Sequence, residues 1–321
     1  MSVGIAVLGT GRIVETAYVP AINEVEDAEL VAVLSRDQAR GDSFAKQYGI
    51  ANAYAELDTL LRDPQVDAVI VATPDALHEP QVIAAAQAGK HVLCEKPMAT
   101  TSQGCQRMAE AVRASGVTFA MGYDNRFNTG LQRIKQMIDA DAIGPVRYVH
   151  AYVTTAVSDP TNWRGAGELT PYWAMSATGT HIIDVYRWFF GDPAHVGGGL
   201  AAPVYQGPND EICILVLNYP GRLMAELTVA AVLPKANRLE LHGETGSIIA
   251  EHVFGRNNPP AIITCKGEQS LVDQINPFVA EVDDFVEAIQ QKREPRATLE
   301  DGVRNLHIME VALNGPMLLE L

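Results

Sequence analysis

The 321-residue sequence predicts an α/β fold in two domains. Three observations predict it. The chain is longer than one ordinary domain and long enough for two cores. Hydrophobic residues make up 47% and charged residues 20%, a globular composition. Over roughly the first 120 residues, short apolar runs alternate with helical segments of about ten residues or more, which is the pattern of a parallel sheet covered on both faces.

The elements follow in order. "VGIAVLG" (3–9) is an apolar run closed by glycine, as expected of a strand buried on both faces. A helical stretch over 13–23 leads to a second strand, "AELVAVLS" (28–35), and "QARGDSFAKQYG" (38–49) reads as a helix with a glycine stop. "VDAVIVATP" (66–74), "KHVLCEKP" (90–97) and "VTFAMGY" (117–123) repeat the strand motif, with helical segments at 78–88 and 101–115 between them. Beyond residue 123 the chain changes character. "VRYVHAYV" (146–153), "EICILVLNY" (211–219), "RLMAELTVA" (222–230), "RLELHG" (238–243) and "SIIAEH" (247–252) are strand-like segments rich in branched residues. "YPGR" (219–222) has hairpin-turn chemistry, and helices over 276–291 and 298–313 close the chain.

A parallel sheet of this kind holds its ligand beyond the carboxyl ends of its strands. The first such end carries "GTGRIV". Gly9 and Gly11 allow a tight turn and a close approach to a pyrophosphate, and the next helix presents its unpaired amides. Val14 replaces the third glycine of the G-x-G-x-x-G pattern. After a first strand, with a second about 20 residues on, the segment reads as a dinucleotide turn contacted through Gly9, Thr10, Gly11, Arg12 and Ile13. A purely structural turn is the alternative. The second strand ends in Ser35-Arg36-Asp37. Serine and arginine suit a ribose 2′-phosphate, which favours NADP over NAD; the other reading makes Arg36 a solvated residue and gives the ribose to Asp37.

The formal net charge of −15, from 24 basic and 39 acidic residues, disfavours nucleic acid or an anionic membrane as partner. A small anionic ligand needs only local amides or arginines. Cys94, Cys105, Cys213 and Cys265 show no C-x-x-C spacing and read as reduced thiols, with neither a disulfide frame nor a metal site. No segment reads as an export signal or a membrane span, so the expectation is a cytoplasmic protein acting on a small molecule.

"TPDALH" (73–78) followed by "EKPMA" (95–99) resembles the glucose–fructose oxidoreductase/inositol dehydrogenase (Gfo/Idh/MocA) family, as do "GYDNRF" (122–127), "NWR" (162–164), "GTHIID" (179–184) and "NPFVAEVDDFVEAI" (276–289). The likeness runs over nearly the whole chain. It implies a doubly wound Rossmann domain over 1–122 and a substrate and oligomerisation domain over 123–321. The second would be α/β with a largely antiparallel open sheet, and the assembly a homodimer or homotetramer. The resemblance places Lys96 at the nicotinamide end as a catalytic residue that hydrogen-bonds the reacting oxygen, with Glu95 in support. It places Thr73, Pro74, His78, Trp163 and Arg164 near the cofactor, a plain helix-capping role being the alternative for His78. Tyr123 and Arg126 would shape the nicotinamide or substrate pocket.

One stretch departs from the family. In "MSATGTHIIDVYRWFFG" (175–191), Ile182, Val185, Tyr186 and Phe189, with Ile183 and Phe190, form an apolar helical face, and Ala177, His181, Asp184 and Trp188 fall on a different side. Family members resemble D-x-G-x-H-x-x-D here, and Ala177 stands where the first acid would be. His181 is expected to be a general acid/base. Asp184 is expected beside the substrate, orienting His181 or pairing with Arg187. The implied activity is hydride transfer between NAD(P) and a secondary alcohol or carbonyl of a sugar, polyol or related metabolite. Two alternatives stay open: redox-assisted elimination or glycoside cleavage with bound cofactor, and a non-catalytic nucleotide-binding regulator, which Ala177 makes credible.

Overall fold

A computed structural model describes residues 2–157, 159, 161–256 and 259–314. The chain folds as two compact units, one of residues 1–123 with 278–306 and one of 124–277 with 307–321.

In the first unit, β1 (Val3–Leu8), α1 (Val19–Glu24), β2 (Ala28–Leu34), α2 (Gln38–Tyr48), β3 (Asn52–Tyr54) and α3 (Leu57–Leu61) are followed by β4 (Ala68–Val71), α4 (His78–Gln87), β5 (His91–Glu95), α5 (Ser102–Ser115) and β6 (Phe119–Gly122). The described strands form one parallel sheet in the order β3-β2-β1-β4-β5-β6. Both faces are covered, so β1 is buried at every position and reads as a continuous apolar run rather than an alternating one. Local chemistry sets the helix ends. The Asp37 side chain accepts from the Arg40 amide at the start of α2, and Gly49 at φ 70° closes it. Thr101 and Gly116 do the same for α5.

In chain order the second unit brings α6 (Thr129–Asp139), β7 (Val146–Ala156), α7 (Trp163–Ala166), α8 (Thr180–Phe190), β8 (His195–Ala201), β9 (Ile212–Tyr219), β10 (Leu223–Ala230), β11 (Val232–Gly243), β12 (Ser247–Glu251), β13 (Ala261–Cys265) and β14 (Glu268–Val272); then come α9 (Pro277–Gln291) and α10 (Leu299–Asn314). The described strands of this unit order as β14-β13-β12-β11-β7-β10-β9-β8. Only β7 and β10 run parallel among these pairs; the others are antiparallel. The Pro220–Gly221 turn joins β9 to β10, with Gly221 at φ 81° and Arg222 at φ 71°. One face of the sheet is apolar and buried, and α8 buries Ile182, Ile183, Val185, Tyr186 and Phe189. The Tyr186 hydroxyl donates to the Glu226 carbonyl at 2.8 Å, and burial pushes it well above the usual phenol range.

Residues 278–306 group with the first unit, although the sequence reading counted them with the second domain by their place in the chain. The reason is their apolar face. Phe278, Val282, Phe285 and Val286 join the core that β1 and α1 bury, and the Phe278 ring meets that of Tyr18 edge-on at 5.1 Å. Phe285 is fully buried there. Phe285→Ala should therefore lower stability by about 3–5 kcal/mol. Urea unfolding followed by circular dichroism checks this; a loss below about 1 kcal/mol would mean that α9 is not part of this core.

Candidate active site

The strand order reverses between β1 and β4, so the carboxyl ends of the first sheet open a crevice at that point. The turn after β1 fits a pyrophosphate. Gly9 has φ 115°, and a Cβ there would stand 2.9 Å from the Ala72 carbonyl oxygen. Gly11 would set its Cβ in open space, with no atom within 4 Å, so a ligand can approach its backbone. The Gly11 carbonyl accepts from the Glu15 amide at 3.1 Å, which makes Arg12 and Ile13 the start of a helix, where the first amides lack partners within the helix itself. That helix passes through a π-helical turn, Val14–Tyr18, before α1.

At the end of β2, Ser35 is buried and Arg36 exposed. Asp37 is committed as the cap of α2, and its own amide lies 3.4 Å from the Ser35 hydroxyl oxygen. Arg40, which sequence reasoning did not single out, donates to the Thr10 carbonyl at 2.9 Å and ties α2 to the glycine turn. After β4, the Thr73 hydroxyl donates to Gln81 at 2.6 Å, and Pro74 precedes a short 3-10 turn, Asp75–Leu77. His78 is fully buried. Its ring bridges the Pro97 and Thr73 carbonyl oxygens, each at 2.9 Å, and so braces the β4 loop against the loop after β5.

That β5 loop carries Glu95, Lys96 and Pro97, with a cis peptide between Lys96 and Pro97. Glu95 accepts the Lys96 amide at 3.1 Å and the Tyr18 hydroxyl at 3.0 Å. The same hydroxyl lies 3.4 Å from Glu281 on α9, so three buried polar residues lock the backbone that presents Lys96. Tyr18 and Glu281 escaped sequence reasoning because they lie 77 and 186 residues from Glu95 (95 − 18 and 281 − 95). Tyr123 follows β6, is buried, and donates its amide to the Met121 carbonyl at 2.8 Å.

In the second unit, a 3-10 turn, Asp124–Phe127, meets α8. Arg126 donates to Asp184 at 2.8 Å from Nε and 2.7 Å from a terminal nitrogen, both groups being buried. This replaces the expected pairing of Asp184 with Arg187. Its carboxylate is engaged by Arg126, whose planar fork matches it, while Arg187 pairs with Asp192 at 2.6 Å. An acid beside His181 is Asp124, with its Oδ1 3.4 Å from Nδ1. Ala177 carries no acid, so this carboxylate comes from another element. Trp163 and Arg164 form a separate pair on α7: the guanidinium carbon lies 4.1 Å from the centre of the indole. Asn162 caps α7, and Asn209 donates to the Arg164 carbonyl at 2.6 Å.

A model of the oxidoreductase family with an NAD-binding Rossmann fold matches residues 3–123, and a model of the GFO/IDH/MocA C-terminal domain matches residues 131–249. The chain belongs to the GFO/IDH/MocA oxidoreductase family. Among relatives of this family, it is 31% identical to inositol 2-dehydrogenase/D-chiro-inositol 3-dehydrogenase of Shouchella clausii, over 95% of this chain and 85% of the relative. It is 27% identical to the NADP(+) D-xylose 1-dehydrogenase of Haloarcula marismortui, over 95% and 88%. Aldose-aldose oxidoreductase of Caulobacter crescentus, solved with glycerol, superposes with a TM-score of 0.89 at 27% identity, covering 97% of this chain and 96% of that one. As a member of the GFO/IDH/MocA family the chain is an oxidoreductase with an NAD(P)-binding Rossmann domain. Among the described residues there is no cluster of acids, histidines and cysteines able to hold a metal, and no helix long and apolar enough to cross a membrane.

The helix bearing His181 begins in a π-helical turn, Met175–Gly179, and Asp210 holds its start. The Asp210 carboxylate accepts the Trp173 and Met175 amides at 2.6 and 2.9 Å. Burial nonetheless outweighs those bonds and pushes its carboxyl up to about 6. An acid raised in the folded state favours folding most below its unfolded value and loses that contribution as pH rises through about 6. The wild type should therefore lose stability relative to Asp210→Asn as pH rises from about 4 to 7, by something on the order of 2–3 kcal/mol. Urea midpoints of both proteins across that range test it, and a difference independent of pH would contradict the burial argument.

Proposed function

We propose that the protein transfers a hydride between NADP and a secondary alcohol or carbonyl carbon of a sugar or polyol. The observation that carries this reading is the Glu95-Lys96-Pro97 loop at the carboxyl end of β5, on the same edge of the parallel sheet as the Gly9–Gly11 turn. The nicotinamide, when bound, supplies the hydride acceptor or donor. This chain's own residues do the rest. The turn amides and the helix start after Gly11 hold the pyrophosphate, and Thr73 and Pro74 border it. Lys96 hydrogen-bonds the reacting oxygen and stabilises the negative charge that develops there. His181 takes the hydroxyl proton in oxidation and returns it in reduction. Tyr123 bounds the nicotinamide side, and Trp163 with Arg164 offers a stacked cationic surface to the cofactor.

The preference for NADP rests on the end of β2. Ser35 stands where NAD sites place the acid that holds a ribose 2′-hydroxyl, Asp37 turns its Oδ1 to the start of α2, and Ser35, Arg36 and Arg40 are suited to a phosphate. A sugar or polyol as substrate is supported by the relatives that act on inositol and D-xylose. Copies of the chain would pair through the outer face of the second sheet, where Ile214, Val216 and Met224 are exposed and Glu226 lies across from Val216. A cytoplasmic location accords with this chemistry.

Calorimetric titration with NADPH and NADH tests the cofactor half of the reading. NADPH should bind more tightly, and Arg36→Ala should weaken NADPH by roughly tenfold or more with little change for NADH. Tighter NADH binding would return the ribose to Asp37. Lys96→Met should lower kcat by about two orders of magnitude or more and leave nucleotide affinity within a few fold. Undiminished turnover in that variant would remove Lys96 from the chemistry.

A further inference from the structure

We infer that Asp124 is the carboxylate partner of His181, holding the ring through Nδ1 so that Nε2 exchanges the substrate proton. The inference rests on the hydride-transfer reading above. It explains how His181 is prepared for proton transfer although Ala177, one helical turn earlier, carries no acid.

The geometry comes from two contacts between the same two elements. Asp124 and Arg126 lie two residues apart on the 3-10 turn, and His181 and Asp184 lie three apart on α8. Arg126 grips Asp184 with two short bonds in a buried position, which fixes the turn against the helix. That grip delivers Asp124 to His181, with Oδ1 at 3.4 Å from Nδ1 and side-chain exposures of 7% and 16%. At this separation the two make an ion-pair contact and not a formed hydrogen bond, so the proposed bond through Nδ1 is one that substrate binding would complete. Asp124 is a positioning residue: it sets the ring's tautomer and offsets the imidazolium.

The other charged groups around this helix have their own partners. Arg126 is neutralised by Asp184. Asp210 is directed at the Trp173 and Met175 amides at the helix start. Cys213 on β9, which packs on the π-helical turn together with β10, is a buried thiol pushed far above its usual range. The neighbouring Leu227 and Val229 of β10 are apolar.

Protons and electrons balance. In oxidation, the substrate O–H bond breaks and its proton goes to Nε2. The carbinol C–H bond breaks and the hydrogen leaves with both electrons to NAD(P)+, the oxidant, forming the carbonyl. Nδ1 would keep its hydrogen on the Asp124 side throughout, and reduction reverses each transfer.

Asp124→Asn keeps the size and removes the charge. In protein carrying 13C-labelled histidine and no nucleotide, the His181 signal, assigned by its loss in His181→Gln, should titrate with a midpoint lower than in wild type by about one pH unit or more. The acid limb of kcat/KM for polyol oxidation should move the same way, with kcat/KM lower by roughly ten- to a hundredfold. Asp124→Glu should restore most of both. A His181 midpoint that is the same in wild type and in a folded Asp124→Asn or Asp124→Ser protein overturns the pairing. Failure of the wild type to oxidise any polyol or aldose with either nucleotide would overturn the functional reading instead, and the nucleotide-free titration would still judge the pair by itself.

Discussion

The constraint on which the first unit depends is the direction of its strands. In a parallel sheet every carboxyl end lies on one edge, and the reversal of order between β1 and β4 keeps neighbouring connections from filling that edge. The glycine turn, Ser35, Thr73, the Glu95–Pro97 loop and Tyr123 therefore gather there although 114 residues separate the first from the last (123 − 9). No single contact assembles them. Cross-braces then sharpen the placement: His78 between two loop carbonyls, Arg40 on the glycine turn, and Tyr18 between two carboxylates.

The second unit solves the corresponding problem with an ion pair. Burying a guanidinium and a carboxylate costs several kcal/mol for each group, and only good geometry and multiple hydrogen bonds offset it. Arg126 and Asp184 meet both conditions. Such a pair adds little net stability over an apolar substitute, but it is directional, since a shift of about an ångström would leave two charges poorly matched in a dry place. Directionality is what a turn bearing Asp124 needs if it is to meet His181 reproducibly.

What was legible in the sequence follows from these same facts. The parallel strands were readable because full burial makes them continuous apolar runs, and α8 because its apolar spacing is regular. β8 was not recognised: Gly197, Gly198 and Gly199 erase its pattern. α6 was missed although Asn128 caps it, because Gly130 near its start argues against a helix; that glycine is needed since a Cβ would come within 2.9 Å of the Ala261 methyl group. β3, α3, β13 and β14 are each five residues or fewer and lack a period long enough to register. At the site, the residues of the first unit were found because they sit at strand ends, and Trp163, Arg164, His181 and Asp184 because they fall in segments that resemble the family, whereas Tyr18 and Arg40 carry no such local signal. Asp124 lies inside the quoted "GYDNRF" segment, yet nothing local relates it to a histidine 57 residues later (181 − 124).

The acidic charge of the whole chain does not conflict with an anionic cofactor. A net charge of −15 spread over the surface is screened beyond about 8–10 Å at physiological ionic strength, whereas a phosphate in a turn is governed by groups within hydrogen-bond reach. At the end of β1 those groups are backbone amides and a helix start, whose partial positive charge belongs to the peptide units and is independent of side-chain composition. In the proposed NADP reading, those groups at the end of β2 would be Ser35, Arg36 and Arg40, beside Asp37, whose Oδ1 caps its own helix. The same division explains what the global charge does decide. It opposes polyanions, which must meet many surface charges at once, and leaves small anions to the local field.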